Sequence, residues 1–282
     1  MQFLDPKIDI AFKKLFGSEN HKQVTISFLN AILEYKGNRK IKNIQFLNTE
    51  QLPVSLDKKE NILDIHCTDE ANRTFIIEMQ NAWERAFSKR IVYYGAKAYT
   101  NQLSTAKPYY ELEPVTVVAI TKKFNVFPDT PHYKCIYALC DTKQCEHTLT
   151  DLTFAFVELP KFTKQEHELV TDEDKWLFLL KEISIYDHIP EPLQRAEFKE
   201  ACQLLNRLSW TDYEQAVYEK KMLDAQSAEG TSIALIERGK EQEKIETVGR
   251  MLKMGLDTDM IASATGLTTE EIKAYTNTLD KL

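Results

Sequence analysis

The sequence lacks any apolar run long enough to cross a bilayer, and its opening MQFLDPKID lacks the basic-then-apolar layout of a secretory signal peptide. It also lacks closely paired cysteines: Cys67, Cys135, Cys140, Cys145 and Cys202 are odd in number, and Cys135, Cys140 and Cys145 recur every five residues with no C-x₂-C or C-x₃-C pair among them. This argues against a disulfide framework and a structural zinc site, and the expectation is a cytoplasmic protein with reduced thiols. His132 and His147 flank the cysteine-bearing stretch, but the alternation in H-Y-K-C-I-Y-A-L-C reads as a strand instead. An excess of positive charge is missing too, since 36 Lys+Arg stand against 43 Asp+Glu for a net charge of −7. The deficit is uneven. Residues 1–110 hold 16 Lys+Arg against 12 Asp+Glu, whereas 111–282 hold 20 against 31. The half that suits a phosphate-bearing partner is the N-terminal one.

What is present is an ordinary globular composition, 43% hydrophobic and 28% charged over 282 residues, enough for one large or two modest domains. A helix is expected from Asp5 as cap and Pro6 as first helical residue, with Ile8, Phe12, Leu15 and Phe16 as its apolar stripe and Gly17 as its end. Asp9 and Lys13, four apart, share a neighbouring stripe. A second helix is expected over Lys22 to Leu33, then a strand in IKNIQFLN and two more at 61–68 and 74–80. Spacings of three and four among Trp83, Phe87, Ile91, Tyr94 and Ala98 predict a helix from Ala82 to Leu103. VTVVAIT, HYKCIYALC and TFAFVELP predict three further strands. The order α-α-β-β-β-α-β-β-β fits an α/β/α sandwich around a central mixed sheet. We divide the chain into a core at 1–160, a helical extension at 161–224, and a charged helix with a small helix-turn-helix-like tail at 225–282. The charged helix carries Gly230, Gly239 and Gly249 as interruptions. In the tail, Thr258 or Asp259 caps one helix, Gly266 makes the turn and the T-T-E-E box at Thr268 caps the next. The last helix is acidic and has no arginine, which suits packing or self-association better than major-groove reading.

The most informative segment is N-I-L-D-I-H-C-T-D-E-A-N-R-T-F-I-I-E-M-Q, residues 61–80. It reads as a hairpin with its turn centred on Ala71. Alternation puts Asp64 and His66 on one face, with Leu63, Ile65 and Cys67 on the other. The pairing sets Asp64 across from Glu78, with Cβ atoms about 5 Å apart. Two carboxylates rising from apolar strands repel each other and are costly to desolvate; a divalent cation resolves both problems. The alternative is a solvated acidic pair on an ordinary hairpin.

An Asp on one strand followed by E-x-Q on the next resembles the PD-(D/E)XK nuclease superfamily. More narrowly, the chain resembles the bacterial family of recombination-promoting nucleases and transposase-like proteins. The matching pieces are D-P-K-I-D-I-A-F-K-K-L-F-G from Asp5, L-D-I with I-E-M-Q, R-x-x-Y-Y-x-A at Arg90 to Ala96, T-N-Q-L at Thr100, and the late T-G-L-T-T-E-E-I. The resemblance implies a restriction-endonuclease-like α/β/α core with a helical C-terminal region. It implies a metal-dependent DNA endonuclease, linked to recombination or transposition, that hydrolyses phosphodiesters. Asp64, Glu78 and the Met79 carbonyl would hold Mg²⁺, or Mn²⁺ in its place, and water would complete the shell.

In that superfamily a lysine two residues after the Glu orients the attacking water; here the position is Gln80, which carries no charge. Lys59 and Lys13 are the candidates to supply the missing cation. Asp9 is a candidate for contacting the metal through water, and Lys13, Arg90 and Tyr93 for contacting DNA phosphate. The competing reading is a catalytically silent nuclease-fold protein that binds DNA or another protein. Self-association through the C-terminal helices is a further expectation.

Overall fold

The computed structural model describes residues 1–51, 61–103, 108–141, 143 and 149–279. Lys59, Cys145 and His147 lie outside them. Residues 1–225 make one compact unit and 226–282 a second.

The first unit is built on a six-stranded mixed sheet in the order β1-β4-β5-β6-β8-β7. Its strands are β1 (Ile44–Phe46), β4 (Ile65–Asp69), β5 (Thr74–Gln80), β6 (Val115–Thr121), β7 (Lys134–Leu139) and β8 (Leu149–Glu158). A separate two-stranded ribbon joins β2 (Glu50–Gln51) to β3 (Asn61–Ile62). The middle strands β5, β6 and β8 are parallel, and the outer pairs are antiparallel. Every residue of β6 is buried, because both faces of the sheet are covered. Val118 and Ile120 face a cluster with α1 (Asp9–Phe16), α2 (Lys22–Ile32), α4 (Asp172–Glu182) and α5 (Ala196–Leu205). At its heart Phe16, Phe28, Trp176 and Phe198 stack ring on ring. Val115, Val117 and Ala119 face α3 (Phe87–Thr100), with Phe87, Ile91 and Tyr94. Gly95 lets α3 lie against the sheet: a Cβ there would come within 2.8 Å of the Phe154 ring.

Several boundaries differ from the sequence expectation, each for a local reason. α1 begins at Asp9, not Asp5. Asp5 instead takes the Lys7 N–H in a turn and pairs with the ammonium groups of Lys7 at 2.8 Å and Lys122 at 3.0 Å. Lys7 is buried and also donates to the carbonyls of Leu180 and Lys181 at the end of α4. The expected strand 61–68 is broken by a bend at Leu63 and Asp64. The break resets the alternation: Leu63 packs in the α3 cluster, on the other side of the sheet from Ile65 and Cys67. α3 begins at Phe87 and not at Ala82, and Trp83 is 60% exposed rather than part of its apolar stripe.

The helix α6 (Asp212–Lys253) is continuous through Gly230, Gly239 and Gly249. A glycine costs about 1 kcal/mol in a helix, and the many Ala, Glu, Lys and Gln around these three offset it. The second unit packs Ile245 and Val248 against Ile261 of α7 (Thr258–Thr265) and Ile272 and Tyr275 of α8 (Thr269–Leu279). The cap of α7 is Asp257, whose carboxylate takes the Met260 N–H at 2.8 Å, and not Thr258 or Asp259. Gly266 turns in the left-handed region, and Thr268 and Glu271 form the expected capping box. Among the described residues no helix is long and apolar enough to cross a membrane.

Candidate functional site

The register of the hairpin is the one the turn at Ala71 predicts. Ile65 pairs with Ile77 and Thr68 with Thr74, which sets Asp64 opposite Glu78 one step further on. The two acids are locked by main-chain bonds that cross. The Asp64 N–H donates to Glu78 Oε1 at 3.0 Å, and the Met79 N–H donates to Asp64 Oδ2 at 2.8 Å. Glu78 is 6% exposed, yet it fills a position where alternation puts a core side chain. Both carboxylates therefore sit in apolar surroundings with few donors.

Their titration reflects this. Burial pushes Glu78 up to about 8, and the Asp64 charge pushes the same way; the Asp64 N–H, Arg90 and Lys13 only partly offset them. Burial also raises Asp64, against the Met79 N–H and the charges of Lys13 and Arg90, with Asp9 adding repulsion.

α1 and α3 bring the charged groups that surround the pair. From α1, Lys13 Nζ lies 2.8 Å from Asp9 Oδ1 and 4.0 Å from Asp64 Oδ1. Burial opposes the Lys13 charge, but the bond to Asp9 and the charges of Asp9, Asp64 and Glu78 hold its pKa above the ordinary lysine value. From α3, Arg90 meets Gln80 at 2.5 Å and Glu84 at 2.6 Å. Tyr94 is a core residue, and Tyr93 is 43% exposed on the outer side of α3. His66 Nδ1–H donates to the Asn48 carbonyl, 3.0 Å away, and burial lowers its pKa.

Of the residues singled out from sequence, Asp64, Glu78, Met79, Gln80, Lys13, Asp9 and Arg90 thus form one neighbourhood of direct and one-step contacts. Lys59 cannot be placed, since it lies outside the described residues. Two features were missed. One is Glu84, which the expected helix from Ala82 hid. The other is that Gln80 spends its amide on Arg90 and on the Ala82 carbonyl, 2.8 Å from Nε2. The signal available was the bulky R-x-x-Y-Y helix following the E-x-Q step.

A hard divalent cation fits this donor set. Among the described residues no cation is hydrogen-bonded to either carboxylate, and a main-chain oxygen turns toward them. The Gln80 carbonyl is taken by the Lys122 N–H on the β6 side. By strand alternation both the N–H and C=O of Met79 point to the β4 side, where Asp64 lies. Among the described residues no three His, Cys, Asp or Glu side chains gather at one point, so main-chain oxygen and solvent would have to complete the shell.

A family model described as PD-(D/E)XK nuclease family transposase matches residues 6–229. Comparison with curated proteins and with solved structures found no match.

Proposed function

Since the chain belongs to the PD-(D/E)XK nuclease family transposases, we propose that it is a metal-dependent DNA endonuclease whose site is the end of the β4–β5 hairpin. The observation that carries this reading is the crossed lock between Asp64 and Glu78, which holds a half-buried and a buried carboxylate side by side at an energetic cost. Asp64, Glu78 and the Met79 carbonyl would hold Mg²⁺, with Mn²⁺ as a substitute. The ion, when bound, lowers the pKa of a coordinated water and offsets charge on the scissile phosphate.

The chain's own residues do the rest. Glu78 gives up the proton that burial holds on it, which makes metal affinity rise with pH. Asp9 keeps Lys13 charged and aimed at Asp64. Arg90 and Tyr93, on the helix beside the pair, are the groups we assign to the DNA backbone, with Lys13 approaching from the other side.

The test is cleavage of supercoiled plasmid at low salt with Mg²⁺ or Mn²⁺, comparing wild type with Asp64→Ala and Glu78→Ala. Wild type should cut and both variants should not. No cleavage with either metal would favour the silent, nuclease-fold binding protein. Cleavage that survives both substitutions would move the site elsewhere.

A further inference from the structure

Where the superfamily pattern carries a lysine, this chain carries an amide whose orientation is fixed. Gln80 Nε2 donates to the Ala82 carbonyl at 2.8 Å, so its oxygen faces Arg90 Nη2 at 2.5 Å. The opposite flip would set amide hydrogens against guanidinium hydrogens. Arg90 Nη1 is tied to Glu84 Oε2 at 2.6 Å. The guanidinium carbon lies 5.3 Å from the Phe87 ring and 5.8 Å from the Tyr94 ring. The group is thus held by an amide, a carboxylate and two aromatic rings. Arg90 Nε is buried and meets no hydrogen-bond partner among the described residues, a cost to stability that the other contacts of the guanidinium sustain.

We propose that Gln80 and Arg90 act as one unit in place of the superfamily lysine: Arg90 brings the positive charge to the carboxylate site and Gln80 is the positioning residue that aims it. This rests on the nuclease reading of the same site. Gln80 stands on the same face of β5 as Glu78, two residues on, as the lysine would. A lysine side chain is one bond longer than glutamine, so its ammonium would fall in the space that the Arg90 guanidinium now enters. The two solutions exclude each other, because a lysine at 80 would meet Arg90 as a like charge without an acceptor between them. The Arg90 charge is felt by both Asp64 and Glu78. Its second hydrogens on Nη1 and Nη2 remain to meet a phosphate oxygen.

The consequence runs against intuition. Restoring the superfamily lysine with Gln80→Lys should damage the protein, and the same change should help once Arg90 is gone. The experiment uses the full chain as wild type, Gln80→Lys, Arg90→Gln and the double variant, with melting temperatures to confirm folding. Plasmid cleavage should fall about tenfold or more in Gln80→Lys and about 100-fold in Arg90→Gln. The double variant should recover most of that loss, a strongly non-additive result. Independently, binding of a short DNA duplex in EDTA should weaken in Arg90→Gln, with a salt slope shallower by about one, and recover in the double variant.

Gln80→Lys matching or exceeding wild type would overturn the proposal, as would a double variant no better than Arg90→Gln. If wild type itself does not cleave, the nuclease reading fails. The EDTA series still decides here, and an unchanged slope in Arg90→Gln overturns the unit. Should Arg90→Gln not fold, Arg90→Lys replaces it. Arg90→Lys keeps the charge but loses the fork, so binding should hold and cleavage should fall; unchanged cleavage would count against the role of Gln80 as its aim.

Discussion

The β4–β5 hairpin buries an acid at each end and treats the two in opposite ways. At its turn, Asp69 accepts the N–H groups of Ala71 and Arg73, each at 2.9 Å, and the Arg73 guanidinium at 2.6 Å. Every lone pair that burial strips of water is given back a donor. At the open end, Asp64 and Glu78 receive one main-chain N–H apiece. Among the described residues, the one ion pair to either is Lys13 at 4.0 Å. The same two strands thus make one acid that stabilises the fold and a pair that strains it. A buried carboxylate does not mark a site; one denied its partners does.

Exchanging the acids for neutral isosteres should break the contrast most sharply. Asp69→Asn takes the charge from a buried acid and leaves the half-buried Arg73 without its ion pair, and should cost about 2–3 kcal/mol in urea unfolding. Glu78→Gln should leave stability unchanged or higher while abolishing cleavage. Equal losses of stability at both ends would erase the distinction. A smaller effect lies in pH. The folded Glu78 value of about 8 stands above its ordinary 4.5, so the native chain binds more protons than the unfolded one between these values. Stability in EDTA should therefore fall as pH rises through that window, as melting curves would register. Glu78→Gln should flatten the fall, and Mg²⁺ should raise the melting temperature more at the alkaline end than at the acid end. Least of all is Lys13→Met. Its side chain is 40% exposed and its ammonium lies 4.0 Å from Asp64, so its loss should shift the pH midpoint of metal binding upward by less than about one unit, read by calorimetry. A larger shift would make Lys13 a full partner and weaken the contrast.

Local pattern carried much of this in the sequence. The turn at Ala71 fixed the register of Asp64 and Glu78 because the side-chain period of a strand is two, and VTVVAIT bounds β6 to the residue. The misreadings came where tertiary contacts overrule local preference. Asp5 has the look of a helix cap, but Lys7 and Lys122, the latter far along the chain, claim its carboxylate. Leu63 follows the alternation of its strand only until the bend beside it. Trp83 keeps helical spacing, yet the Gln80–Ala82 and Arg90–Glu84 bonds hold residues 80–84 out of the helix. No local rule could pair Gln80 with Arg90, since that contact depends on how α3 returns over the sheet.

The N-terminal segment has one more consequence, in the order of synthesis. Leu4 N–H bonds to the Leu205 carbonyl, Arg207 N–H to the Gln2 carbonyl, and Asp5 N–H to the Tyr218 hydroxyl. Residues 2–5 thus bond to partners that are made much later in the chain, at 205–218. Those three bonds cannot form until residues 205–218 have been made, whereas the partners of Asp5 and Lys7 at Lys122, Leu180 and Lys181 come earlier in the chain. In a growing chain the hairpin acids are therefore made well before the last anchors of the segment that leads into the helix flanking them.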